Sequence, residues 1–199
     1  MKAILIATSN PGKFKELIKG LETLNEKGIK LLSLKELDVN EKPQENGKTF
    51  QDNALIKARF YARKTGLPTI ADDGGLTIDI LKGAPGVKSR RWTGYEATDE
   101  ELIKYTLYKL KNVPLSKRHA RLTACLCYYN PLSKKKIFKE QSIKGRIASR
   151  PVKNWTKGYP YRALFIVDKY KKYYDELTDE EHEIINHRLR AARKLARSI

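Results

Sequence analysis

Ile70-Ala71-Asp72-Asp73-Gly74-Gly75-Leu76 sets two adjacent carboxylates between a β-type run and a pair of glycines. Adjacent acids repel, so a fold that keeps both is expected to supply a cation or a proton for them to share. The glycines permit a sharp turn and the close approach of a ligand. Two readings follow: a surface turn, since Asp and Gly are common turn formers, or a metal site.

Residues on either side suggest the frame. Lys2-Ala3-Ile4-Leu5-Ile6-Ala7 reads as a buried strand. Thr8-Ser9-Asn10-Pro11-Gly12-Lys13 breaks it with turn residues, and Phe14, Leu17, Ile18, Leu21 and Leu24 then recur at helical spacing. A strand, a polar loop and a helix N-terminus together make a ready anion site, because free backbone N–H groups and the helix dipole face the loop. It is not a Walker A loop: no glycine stands five residues before Gly12, and neither Ser nor Thr follows Lys13. Leu31 to Leu37 reads as a short strand and turn. A helix is expected from Thr49 to Thr65, with Phe50, Ala54, Leu55, Ala58 and Ala62 on one face, ended by Gly66-Leu67-Pro68.

Thr69 to Ala71 reads as a strand entering the Asp pair, and Leu76 to Ile80 as a half-buried strand leaving it. Thr98 with Glu101, and Thr178 with Glu181, form capping boxes that start helices. Arg121 to Tyr129 and Lys136 to Ile147 read as β segments. Ile185, Leu189, Ala192, Leu195 or Ala196, and Ile199 line one face of a final helix. The order is mixed α/β without strict βαβ alternation, so a mixed sheet flanked by helices is expected, in one domain over residues 1–199.

The totals bound the partners. The 41 basic and 23 acidic residues give a net charge of +18, which favours polyanions such as nucleotides, nucleic acid or an anionic surface. No apolar run approaches the ~20 residues that span a bilayer. Ala3 to Ala7 is too short for the apolar core of a signal peptide. Cys125 and Cys127 read as reduced thiols of a cytoplasmic protein. The charge and 11 tyrosines raise a nucleic-acid-binding module as a competing reading, but no recognised nucleic-acid-binding signature supports it.

Several loops together resemble the inosine triphosphate pyrophosphatase family. Thr8-Ser9-Asn10-Pro11-Gly12-Lys13 with Glu16 looks like its N-terminal substrate loop, and Thr49 to Arg59 like its second helix. Ala71-Asp72-Asp73-Gly74-Gly75-Leu76 resembles its acidic motif, and Gly83-Ala84-Pro85-Gly86-Val87 the loop after it. Leu177-Thr178-Asp179-Glu180-Glu181 and His187-Arg188 resemble its C-terminal motif. The motifs are collinear and cover nearly the whole chain.

The resemblance implies an elongated, two-lobed α/β fold with a central sheet and a cleft between the lobes, assembled as a homodimer. It also implies hydrolysis of nucleoside triphosphates of deaminated purines (ITP, dITP, XTP) to the monophosphate and pyrophosphate, with Mg²⁺. By resemblance Glu45 and Asp73 hold the metal with Asp72 beside them, and Asp73 is the catalytic acid–base. Thr8, Ser9, Asn10, Lys13 and Lys57 bind the triphosphate. Gly74, Tyr159, Tyr161, Arg162, His182, His187 and Arg188 complete the substrate site.

Four positions depart from the family pattern: Arg162 and Ala163 stand for Asp-Pro, His182 for Lys, and Asn186 for Ser. Gly74 also replaces a Ser. An Asp accepts from base N–H groups, whereas Arg only donates, so Arg162 implies a shifted base preference. The alternatives are an Arg162 that faces solvent and a nucleotide binder that has lost catalysis.

Overall fold

The computed structural model describes residues 2–199. Seven strands form one mixed sheet in the order β2-β1-β3-β4-β5-β6-β7. Their ranges are β1 Ala3–Ala7, β2 Lys30–Ser33, β3 Thr69–Ile78, β4 His119–Tyr129, β5 Lys136–Ile147, β6 Phe165–Val167 and β7 Lys172–Tyr173. β1 pairs in parallel with both β2 and β3, placing Leu5 opposite Thr69 and Ala7 opposite Ala71. β6 pairs antiparallel with β5 and with β7. A central parallel strand is covered on both faces, which is why β1 reads as an unbroken apolar run. Its side chains divide by parity: Ile4 and Ile6 join one apolar cluster, Leu5 and Ala7 another.

Among the described residues six α-helices accompany the sheet: α1 Pro11–Gly20, α2 Glu22–Glu26, α3 Phe50–Thr65, α4 Asp99–Lys109, α5 Asp179–Ile185 and α6 His187–Ala196. Their starts follow local chemistry. Asn10 caps α1 by accepting from the Lys13 amide, with Pro11 in the first turn, where its missing N–H costs nothing. Thr49 caps α3 through a capping box with Asp52, and Gly66 ends it at φ 71°. Both expected capping boxes, Thr98/Glu101 and Thr178/Glu181, are present.

Two expectations are corrected. Asp72-Asp73-Gly74-Gly75 is no turn: β3 runs straight through it, and neither glycine has a positive φ. The expected final helix is two helices, broken at Asn186, whose ψ of 110° takes the backbone out of the helical region. Ile185 therefore packs in a different cluster from Leu195 and Ala196.

The chain divides into two compact units. One runs to Gly74 and adds Ala124–Gln141 and His187–Ile199; the other comprises Gly75–Thr123 and Ser142–Asn186. The first holds two apolar clusters. Leu17 of α1 and Leu21, which caps its end, meet Ile70, Leu126 and Leu195 in one; Ala54, Ala58 and Tyr61 of α3 meet Ala71 and Cys127 in the other. The second unit is built on Leu76, Ile78, Leu102, Leu110, Phe165 and Tyr174. There Arg118 is buried and donates to the carbonyl oxygens of Val113, Ala148 and Leu110, so its cost of burial is met by hydrogen bonds. Cys125 and Cys127 are buried free thiols. Among the described residues no helix is long and apolar enough to cross a membrane.

Candidate functional site

Successive side chains of a strand point to opposite faces. On β3, Ile70 lies in the cluster with α1 and α6, and Ala71 in the cluster with α3. Asp72 and Asp73 continue that alternation, so the two carboxylates separate instead of sharing one cation. Asp72 Oδ2 accepts from Arg188 Nε at 2.8 Å and lies 3.4 Å from Lys13 Nζ. Arg188 also donates from Nη1 to Glu16 Oε2 at 2.7 Å. On the other side, Asp73 Oδ1 accepts from Lys57 Nζ at 2.9 Å, and the same ammonium donates to Glu45 Oε2 at 3.0 Å.

These partners set the charge states. Burial pushes the Asp72 carboxyl upward, but Lys13, Arg188 and Lys57 outweigh it and hold the group well below the usual carboxylate range. For Asp73 burial prevails over Lys57, and its pKa is raised. Burial pushes the Lys57 ammonium down, yet Asp73, Asp72 and Glu45 carry it above its ordinary value. Burial lowers Lys13 despite the neighbouring Asp72.

The remaining members of the first unit are placed as follows. Thr8 Oγ1 accepts from the Asn10 amide, and the Asn10 side-chain oxygen is engaged as the cap of α1. Ser9 is exposed, while His187 and Arg188 are buried at the start of α6. The loop bearing Glu45 is anchored by a residue the sequence reading missed. Asn53 on α3 is buried, and its Oδ1 accepts from the Gly47 amide at 2.8 Å. An amide side chain one residue before Ala54, on the apolar face of a helix, was the available signal.

In the second unit the predicted residues belong to a different constellation. Tyr161 is buried and donates its hydroxyl to the Ser89 carbonyl at 2.5 Å. Ser89, also missed, accepts from the Leu76 amide and donates to the Gly86 carbonyl. A β-carbon at Gly75 would overlap the Ser89 side chain, so close approach is what requires glycine there.

Arg162 does not face solvent. It is buried, with its guanidinium 3.7 Å from the Tyr159 ring centroid and 4.5 Å from that of Tyr174. Such a site suits the weakly hydrated, planar guanidinium. His182 meets the Tyr174 ring edge-on at 5.2 Å, and its Nε2 lies 3.5 Å from Asn186 Nδ2.

Glu45 and Asp73 fit a hard cation. Asp73 Oδ2 is buried and has no hydrogen-bond partner among the described residues, so one carboxylate oxygen is left for a ligand. Among the described residues no group of three or more His, Cys, Asp or Glu side chains converges at metal-binding distance. Two carboxylates completed by substrate phosphates and water suit Mg²⁺, which seldom takes an all-protein cage. Asp72, expected beside them, lies on the other face of β3 with its charge met by Lys13 and Arg188.

The geometry sits in a chain with many relatives. It is 38% identical to a dITP/XTP pyrophosphatase of Escherichia coli O157:H7 over 196 residues, covering 98% of this chain and 96% of that protein. A dITP/XTP pyrophosphatase of Bacillus subtilis (strain 168) matches at 38% over 197 residues, covering 99% and 96%. The solved structure of a HAM1 protein from Coxiella burnetii superposes with a TM-score of 0.87 at 34% identity, covering 100% of this chain and 98% of that one. The sequence model of the Ham1 family matches residues 4–198, and with this agreement of sequence and fold the chain belongs to the Ham1 family.

Proposed function

We propose that this protein hydrolyses nucleoside triphosphates of deaminated purines, of the dITP and XTP kind, to the monophosphate and pyrophosphate. The observation that carries the reading is the Glu45–Lys57–Asp73 group, with the buried, unpartnered Oδ2 of Asp73 beside a strongly held ammonium. It occurs in a chain whose relatives bear the name dITP/XTP pyrophosphatase.

Hydrolysis at the α-phosphorus needs a base for the attacking water and positive charge for the phosphate oxygens. Asp73 takes the water proton. Glu45 and Asp73 would hold Mg²⁺, which supplies charge neutralisation and phosphate orientation when bound. Lys13 and Lys57 carry the cationic contacts to the triphosphate, and the loop around Thr8, Ser9 and Asn10 supplies further polar contacts. Arg188 acts on Lys13 through their shared partner Asp72. No protein nucleophile is required, because water attacks directly.

Tyr159, Tyr161, Arg162, His182 and His187 stay in the reading as the groups that meet the nucleoside. Arg162 offers donors only, and so favours a base edge rich in acceptors. A homodimer in the cytoplasm belongs to the same reading and rests on the resemblance.

A pyrophosphate-release assay across purine and pyrimidine triphosphates tests it. The expected profile places dITP and XTP first, and Asp73→Asn loses about 10²–10⁴ in rate. Release unaffected by Asp73→Asn, or no release from any triphosphate, would overturn it.

A further inference from the structure

We propose that Lys57 is the resident counter-cation of the Glu45–Asp73 pair, and that its displacement couples divalent-metal binding to polyphosphate binding. This rests on the reading above, in which those two carboxylates hold the metal.

The geometry is that of a cation already in place. One ammonium lies 2.9 Å from Asp73 Oδ1 and 3.0 Å from Glu45 Oε2. The side chains of Lys57 and Asp73 are 12% and 11% exposed, so bulk water does little to screen that contact, while Glu45 at 34% lies at the open edge of the group. A divalent ion seated on the same carboxylates meets this ammonium as a like charge at contact range, in a poorly screened site. Lys57 must then leave at least one carboxylate.

The surroundings decide where it can go. A further carboxylate of this group, Asp72, is already held by Arg188 and Lys13. A displaced ammonium therefore finds no unclaimed anion within this group. A bound polyphosphate provides one: its oxygens can receive Lys57 while the metal takes Glu45 and Asp73.

Linkage leads to the same result: Lys57 leaves the carboxylates more readily when phosphate oxygens can receive it, and a divalent ion sits on them more readily once Lys57 has left. Each ligand removes the obstacle to the other. The coupling is reciprocal by linkage, so the metal strengthens nucleotide binding by the same factor that the nucleotide strengthens metal binding.

The test reads binding, not turnover. Mn²⁺ is titrated into nucleotide-free wild type, Lys57→Gln and Glu45→Gln, and free Mn²⁺ is measured by electron paramagnetic resonance. Lys57→Gln is expected to bind Mn²⁺ at least tenfold more tightly than wild type, and Glu45→Gln to bind more weakly. Equal or weaker binding by Lys57→Gln, with binding still lost in Glu45→Gln, overturns the counter-cation role and leaves the metal pair standing. Binding that ignores Glu45→Gln, or that is absent from every protein, overturns both.

A second measurement needs no variant. Wild type is titrated by calorimetry with the α,β-methylene analogue of inosine triphosphate, with and without Mg²⁺. At least tenfold tighter binding with Mg²⁺ is expected; equal affinity overturns the coupling.

Discussion

Arg188 and Asp72 are 116 residues apart in the chain, and Nε of one donates to Oδ2 of the other at 2.8 Å in a buried ion pair. Their side chains are 5% and 1% exposed. This pair fastens α6 to β3 at the strand position just before Asp73, a member of the candidate metal pair.

Arg188→Ala leaves a buried carboxylate with Lys13 and takes one donor from Glu16. Breaking a buried pair from one side costs about 3–5 kcal/mol. Urea unfolding is expected to show a loss of that size. Asp72→Asn combined with Arg188→Ala is expected to cost clearly less than the two separate losses added together.

The two aspartates respond to pH in opposite ways. Asp72 titrates below its ordinary value when folded, because Lys13, Arg188 and Lys57 outweigh burial. It therefore stabilises the fold above the unfolded pKa of about 3.9, and that stabilisation is lost as pH falls toward the folded value. The melting temperature of metal-free wild type is expected to exceed that of Asp72→Asn at pH 7, with the gap narrowing below about pH 4. Asp73 is raised by burial, so its ionisation works against the fold at neutral pH. Asp73→Asn is expected to melt no lower than wild type at pH 7 while losing activity, the usual trade at a strained site.

Burial pushes both thiols, Cys125 and Cys127, up to about 12. At pH 8 the thiolate fraction is then on the order of 10⁻⁴, and the thiolate is the reacting form. Ellman's reagent is expected to titrate neither cysteine in the native protein over minutes, and both in guanidinium. Rapid reaction of either in the native state would contradict the burial.

Gly20 closes α1 where it meets α6. A β-carbon there would stand 2.5 Å from Ala192 Cβ and 3.0 Å from the Leu189 carbonyl oxygen. Helix propensity favours alanine over glycine by about 1 kcal/mol. The overlap is expected to reverse that sign, with Gly20→Ala destabilising by roughly 1–3 kcal/mol in denaturant titration. Ala192→Gly in the same chain is expected to recover part of the loss.

Much of the local structure was legible because its causes are local. The apolar run Ile4-Leu5-Ile6, the caps at Thr98 and Thr178, and Gly66 after α3 each act within about one turn or a few strand residues. The family-like motifs likewise drew attention to residues far apart in the chain. Glu45, Lys57 and Asp73 were named from sequence, and the fold brings those three into contact.

What the sequence alone determined was therefore the inventory: most strands, helix starts and a basic α/β chain. Only the tertiary structure decided their partners. Asp-Asp-Gly-Gly reads as a turn because those residue types favour turns, yet pairing beside β1 in the sheet outweighs that local preference and carries β3 straight through. Once the strand is straight, its two-residue alternation sends Asp72 to Arg188 and Asp73 to Lys57, and one acidic motif serves two sets of partners. Arg162 shows the same limit: no local rule says that two tyrosine rings, one of them twelve residues on, will flank a guanidinium. Adjacency along the chain is covalent, but adjacency of charges depends on which face each strand residue presents and which helix packs there.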